Sequence, residues 1–214
     1  MPSKPPDERR EELIAVYREI CDSHACPLAD TRTKLVFGAG NANADLMFVG
    51  EAPGANEDRQ GLPFVGQAGK LLDQLLAEVG LERSQVFVTN VLKCRPPANR
   101  DPLPEEIEVC KPYLYRQIAL IEPKVICTLG NFATKLLTGS PQGIMKVHGR
   151  PQRRELGSSL VTLFPLCHPA AGLRTPSVKQ MLEEDFAKLP ALLAEHFPEE
   201  TVATAPAEQM GLFQ

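Results

Sequence analysis

Four short apolar runs, separated by segments of helical period, leave this chain little choice of fold. Asp45–Gly50, Gln85–Thr89, Lys124–Leu129 and Leu160–Leu166 are too short for helices, and the first feeds directly into a glycine- and proline-bearing turn. Such runs predict buried strands. Between and after them lie Leu71, Leu72, Leu75, Leu76 and Val79 with Gly80 as a stop, then Glu105–Ile121, Phe132–Leu137 and Val178–His196, all predicted helices. A further amphipathic helix is predicted over Asp7–Ile20, with Leu13, Val16, Tyr17 and Ile20 on one stripe and two cysteines closing it. Strand followed by helix implies parallel pairing. The fold class is therefore α/β, a three-layer α/β/α sandwich with a central, mainly parallel sheet. Pro112 lies inside one helix and is expected to kink or restart it near Cys110.

A chain of 214 residues suits one core, assigned to residues 1–197, with residues 198–214 turning to Glu, Thr, Ala and Pro as a polar tail. The first ten residues are charged and proline-bearing, without the apolar stretch of a secretory signal, so a cytoplasmic, membrane-free monomer is expected. Six cysteines in that compartment favour metal or cluster ligation over disulfides. The net charge of −4 argues against coating nucleic acid through bulk positive charge. Local basic clusters are another matter: Lys93, Arg95 and Arg100; Lys146, Arg150, Arg153 and Arg154; Arg174 and Lys179. Each is able to meet phosphates, although a solvated face is the commoner meaning.

In open parallel sheets ligands bind beyond the carboxyl ends of the strands. Three segments fall there: Gly50-Glu-Ala-Pro-Gly54, Asn90 and His168-Pro169. Together with Glu57-Asp58, Gly61-Leu-Pro-Phe-Val-Gly66, Lys93-Cys-Arg-Pro-Pro97, Asn99-Arg100 and Arg174, they make an ordered set over Cys21 to Leu189 that resembles the family-4 uracil-DNA glycosylases. The resemblance implies removal of uracil from DNA by base flipping, beside a 4Fe–4S cluster, as the first step of base excision repair. The competing expectation is a non-catalytic iron-sulfur DNA-binding module that has kept the scaffold.

The residue types suit that chemistry. A base-excising site holds its base by stacking and by hydrogen bonds to the Watson–Crick edge. Phe64 offers a stacking face, where the plain alternative is core packing. Asn90 offers a carbonyl to uracil N3–H and an NH₂ to O4, a pattern cytosine inverts, where the alternative is a capping asparagine. His168 is the expected donor to O2 of the leaving base, and Glu51 the carboxylate that stabilises positive sugar charge or orients water. Backbone N–H groups of Gly50, Ala52 and Gly54 are candidates to hold the base or a phosphate. Arg100, Leu173 and Arg174 are expected at the DNA. The family places a bulky apolar wedge four residues after the histidine, where this chain has Gly172, so Leu173 takes the wedge role. Relatives that crosslink to DNA carry a histidine in the segment corresponding to Val91–Asp101; none stands here, and covalent trapping is not expected.

The resemblance makes Cys21, Cys26, Cys94 and Cys110 the cluster ligands. Ser23 stands where the family has its first cysteine, so His24 is an alternative to Cys21. Zinc is the other metal to weigh, but it usually draws on two tight Cys pairs, and Cys94 and Cys110 are far apart for that. Cys127, in an apolar run, is expected to be an inert thiol. At the end of the tail Gln209-Met-Gly-Leu-Phe213 resembles a bacterial sliding-clamp-binding peptide, with Gln209, Leu212 and Phe213 as its anchors.

Overall fold

The structure, a computed structural model, describes residues 6–23, 26–157 and 159–195. Among them, strands β1 (Ala39–Gly40), β2 (Leu46–Gly50), β3 (Phe87–Asn90), β4 (Val125–Leu129), β5 (Gln152–Leu156) and β6 (Ser159–Leu166) form one sheet in the order β1-β3-β2-β4-β6-β5. The four apolar runs are its inner, parallel strands, and β1 and β5 pair antiparallel at the two edges. Helices α1 (Pro6–Ser23), α2 (Ala55–Gln60), α3 (Gln67–Glu78), α4 (Pro104–Ile121), α5 (Asn131–Thr138), α6 (Ile144–Val147), α7 (Pro169–Gly172), α8 (Pro176–Phe186) and α9 (Leu189–Ala194) complete the described elements.

Alternation along each strand feeds two cores. On β2, Met47 and Val49 join the layer formed with α1, α4 and α5, while Leu46 and Phe48 join the layer formed with α3, α8 and α9. Both faces are covered, which is why the inner strands read as unbroken apolar runs. Arg9 of α1 is buried; its Nη1 donates to the Ile121 carbonyl at the end of α4 at 2.8 Å, and its Nη2 pairs with Glu122.

Four local expectations need correction. Helix α1 continues to Ser23, so Cys21 lies inside its last turn and only Cys26 follows the helix. Helix α4 does not restart at Pro112 but continues through it to Ile121, and the carbonyl deprived of a partner is that of exposed Glu108, which water can reach. The final helix is two: the Pro190 ring excludes the carbonyl four residues back, at Phe186, where α8 ends, and sits harmlessly in the first turn of α9. The edge strands went unread, since Gln152-Arg-Arg-Glu-Leu156 is polar and β1 has two residues. His24, His196 and the tail with Gln209, Leu212 and Phe213 lie outside the described residues. Among the described residues no helix is long and apolar enough to cross a membrane.

The topology also makes the crevice. After β2 the chain passes to α3 on one face, whereas after neighbouring β3 it passes to α4 on the other. Adjacent strand ends therefore part company, and a ligand fits between them. Gly50 and Asn90 are register partners at that point.

Candidate active site

A cavity of about 390 Å³ opens at the crevice, and Glu51, Phe64, Asn90, His168, Arg100 and Arg174 are in its wall. Asn90, the last residue of β3, is 2% exposed, and among the described residues its Oδ1 has no hydrogen-bond partner. A buried amide oxygen left this way costs about 1–3 kcal/mol, so it is a place built for a donor to arrive. Gly50 makes room for it. A Cβ at Gly50 would approach Phe64 Cζ to 2.7 Å and Asn90 Oδ1 more closely still. Phe64 itself has φ of 52°, a left-handed backbone that a bulky residue adopts only under constraint. Two constraints are visible. The Glu57 carboxylate accepts the Val65 and Gly66 N–H groups, each at 2.9 Å, and Gly69 of α3 lacks the Cβ that would overlap the Phe64 carbonyl. In the sequence Glu57 is one residue of a motif; its carboxylate clamps the Phe64 loop through contacts eight and nine residues along the chain.

Across the cavity the His168 ring lies 5.7 Å from that of Phe64, inclined by 29°. Its Nδ1 accepts the Ala170 N–H at 3.1 Å, capping α7, which leaves the ring proton on Nε2. Burial holds the imidazole pKa down at about 4, against a weaker upward pull from Glu57, so the ring is neutral at pH 7. Half-buried Glu51 is pushed up by burial and by Asp101, and among the described residues no donor hydrogen-bonds its carboxylate. Arg174 is exposed at the rim. Arg100 reaches the wall but is engaged, donating to Glu106 Oε2 at 2.9 Å and to its Oε1 at 2.5 Å. Gly172 is buried, and a Cβ there would sit 3.0 Å from Leu182 Cδ1, so this position faces the core; Leu173 beside it is 50% exposed and does not line the cavity.

Residues 37–190, which carry the whole cavity, match the family model of the uracil DNA glycosylase superfamily. A type-4 uracil-DNA glycosylase of Sulfurisphaera tokodaii is 48% identical over 84% of this chain and 84% of its own length. Those of Archaeoglobus fulgidus and Thermotoga maritima are 45% and 43% identical, over 88% and 84% of this chain and 96% and 94% of their own lengths. The chain belongs to the type-4 uracil-DNA glycosylase family.

The segment matching the superfamily model begins after Cys21 and Cys26, yet the fold returns both to the body that bears Cys94 and Cys110. The Cys26 thiol is within hydrogen-bonding reach of Cys110 and Cys94, whose donation holds Cys26 well below the ordinary thiol range and pushes its two partners up. Arg32 Nη1 lies 3.2 Å from Cys94 Sγ and within electrostatic reach of Cys21 and Cys26. Among the described residues no three acidic, histidine or cysteine side chains close around a single metal ion. Cys26, Cys94 and Cys110 lie together beside one cation, and Cys21 lies within electrostatic reach of that cation; thiolates in such a place suit a group larger than a single ion. Cys127 is buried with its pKa raised by burial, the inert thiol expected of it. Lys93, expected in a basic cluster that either meets phosphates or forms a solvated face, does neither, because it is wholly buried. Its Nζ instead donates to Thr89 Oγ1, the Asn90 carbonyl and Gln117 Oε1, each at 2.7 Å. Burial pulls that amine down to about pKa 7 and Cys110 pulls it up, but three acceptors at 2.7 Å are satisfied together only by the three N–H groups of the ammonium, and they favour that form.

Proposed function

We propose that this chain is a uracil-DNA glycosylase of base excision repair, that its cavity receives a uracil flipped out of DNA, and that it hydrolyses the N-glycosidic bond. The observation that carries the reading is the unpartnered, buried Oδ1 of Asn90. Uracil brings N3–H to such an oxygen. Cytosine presents a bare nitrogen there, leaving two acceptors facing in a dry site, which is how a hydrogen-bonding site rejects an analogue strongly.

The remaining roles follow from position. Phe64 stacks on the base, and the backbone of Gly50, Ala52 and Gly54 borders it. Neutral His168 offers Nε2–H to O2 as the glycosidic electrons collapse onto uracil, and needs no prior protonation to do so. Glu51, with no donor among the described residues, is free to orient water toward the sugar carbon and to face its positive charge. Arg174 meets a phosphate at the rim, Arg100 supports that wall through Glu106, and exposed Leu173 enters the gap left by the flipped base. Cys21, Cys26, Cys94 and Cys110 hold a 4Fe–4S cluster whose contribution is structural, joining the Cys94 loop to α4. The protein works in the cytoplasm, and its tail, through Gln209, Leu212 and Phe213, docks on the bacterial sliding clamp as a tether.

The deciding test is excision from a uracil-bearing oligonucleotide by the native chain and by Asn90→Asp. Native protein is expected to release uracil and to leave cytosine alone, and the aspartate, which puts a negative charge beside the base and removes the NH₂, to lose most of that activity. An unchanged rate in Asn90→Asp would mean that another residue reads the base.

A further inference from the structure

Lysine is among the side chains least often buried, and Lys93 is completely buried with, among the described residues, no carboxylate against its Nζ. The oxygens around it explain how. Thr89 Oγ1 gives its proton to the Phe37 carbonyl at 2.7 Å, so toward Lys93 it can only accept. The Asn90 carbonyl is an acceptor by nature. Gln117 turns its NH₂ to the same Phe37 carbonyl at 2.9 Å, which leaves Oε1 toward Lys93. Three acceptors at 2.7 Å require three N–H donors, and an ammonium supplies that number.

The main chain of Lys93 is fixed as well. Its carbonyl accepts the Val36 N–H at 2.9 Å, and its N–H faces the Cys110 thiol closely enough to draw that thiol's pKa downward against the larger upward effects of Cys26 and burial. One residue thus connects the thiol-bearing α4, the loop before β1 and the end of β3. Asn90 is gripped from two sides: Gly50 and Phe64 bound its side chain, and the ammonium holds its carbonyl.

We propose that Lys93 is a positioning residue, a buried ammonium that sets the end of β3 and thereby aims the Asn90 amide into the cavity. Without it, the Asn90 carbonyl, the Thr89 hydroxyl and the Gln117 carbonyl lose a common donor in a dry interior, and β3 relieves them by twisting at its last residue. The Asn90 side chain moves with that twist. A displacement of the order of an ångström at a reacting or recognising group costs about 100-fold in rate. Lys93 touches neither base nor DNA, so its removal acts on the bond-breaking step and on base choice rather than on DNA affinity.

This inference rests on Asn90 as the base reader, and a double-mutant cycle tests both separately. Single-turnover excision, DNA affinity, and iron content with visible absorbance are measured for the native protein, Asn90→Ala, Lys93→Met and the double variant. The expected results are a 10- to 100-fold slower step in Lys93→Met, DNA affinity within about 3-fold of native, retained iron, and no further loss when Lys93→Met is added to Asn90→Ala. Multiplicative losses would show that Lys93 acts elsewhere and overturn the proposal. A native rate in Lys93→Met would do the same. If Asn90→Ala excises uracil normally, the base-reading role itself falls and the positioning role with it, a result distinct from either of the others. Should Lys93→Met lose its iron, Gln117→Leu replaces it in the cycle: it removes one of the three acceptors from helix α4, well outside the cavity wall, and the same non-additivity with Asn90→Ala is expected.

Discussion

Gly50→Ala concentrates the argument in one methyl group. The added Cβ would stand 2.7 Å from Phe64 Cζ and 2.8 Å from its Cε2, and nearer still to Asn90 Oδ1. Ordinary contact begins at 3.4 Å, so the ring must retreat by about 0.7 Å and the amide by more. Neither has somewhere easy to go, because Phe64 is tied through Glu57 and Gly69, and Asn90 closes a fully buried strand. Overpacking of this kind costs about 1–3 kcal/mol of stability, well within the 5–15 kcal/mol typical of a domain. The protein should therefore fold. Its chemistry should not survive as well: shifts approaching an ångström in both the stacking and the reading group predict a loss of roughly 10- to 100-fold. Single-turnover excision from a single-stranded uracil oligonucleotide, paired with a urea melt, separates the two effects. An alanine variant that excises within about twofold of native, at any stability, would show that Gly50 does not set the geometry of the base receptor.

His168→Ala should slow bond breaking by roughly 100-fold or more, the scale of losing one transition-state donor, and a variant that loses only DNA affinity would make His168 a positioning residue. The same ring makes a pH prediction. Its folded pKa of about 4 lies below the ordinary 6.5, so the unfolded chain takes up a proton first as pH falls; this contribution to stability is intact above 6.5 and is lost between 6.5 and about 4. Denaturant midpoints of native and His168→Ala protein across that window check it, and parallel curves would contradict the assignment. Purified protein should be brown with about four irons per chain; colourless, fully active protein holding zinc alone would rule out the cluster. Truncation after Glu208 should abolish binding to the cognate sliding clamp while leaving excision intact, and equal clamp affinity with and without the last six residues would dismiss the tail as a docking peptide.

The inner sheet was legible because burial on both faces writes a strand as a continuous apolar run, and the carboxyl ends of those runs led directly to Gly50, Asn90 and His168. Edge strand β5 was not, because one of its margins faces water and Gln152, Arg153 and Arg154 are as suited to a loop. Pro190 lies within the last predicted helix, and its ring alone is enough to end α8 at Phe186. Lys93 is the instructive failure. A lysine between Leu92 and Cys94, next to Arg95, reads as surface charge, and its three acceptors come from positions 89, 90 and 117, which no local pattern brings together. The one available hint was polar Gln117 on the buried stripe of α4, a group that had to find a partner inside.

The left-handed backbone at Phe64 bears on how the receptor meets its base. Holding a bulky residue there costs about 1–3 kcal/mol, whereas truncating a buried phenylalanine costs about 3–5 kcal/mol; the ring, 7% exposed, outweighs the strain of its own backbone. With Glu57 and Gly69 fixing the same loop, the stacking face is in place in the free protein, which lowers the ordering entropy to be lost at the encounter. A receptor of that kind is expected to take a uracil that is already unpaired or unstacked faster than one in a closed duplex, and single-turnover excision compared between single- and double-stranded oligonucleotides checks it.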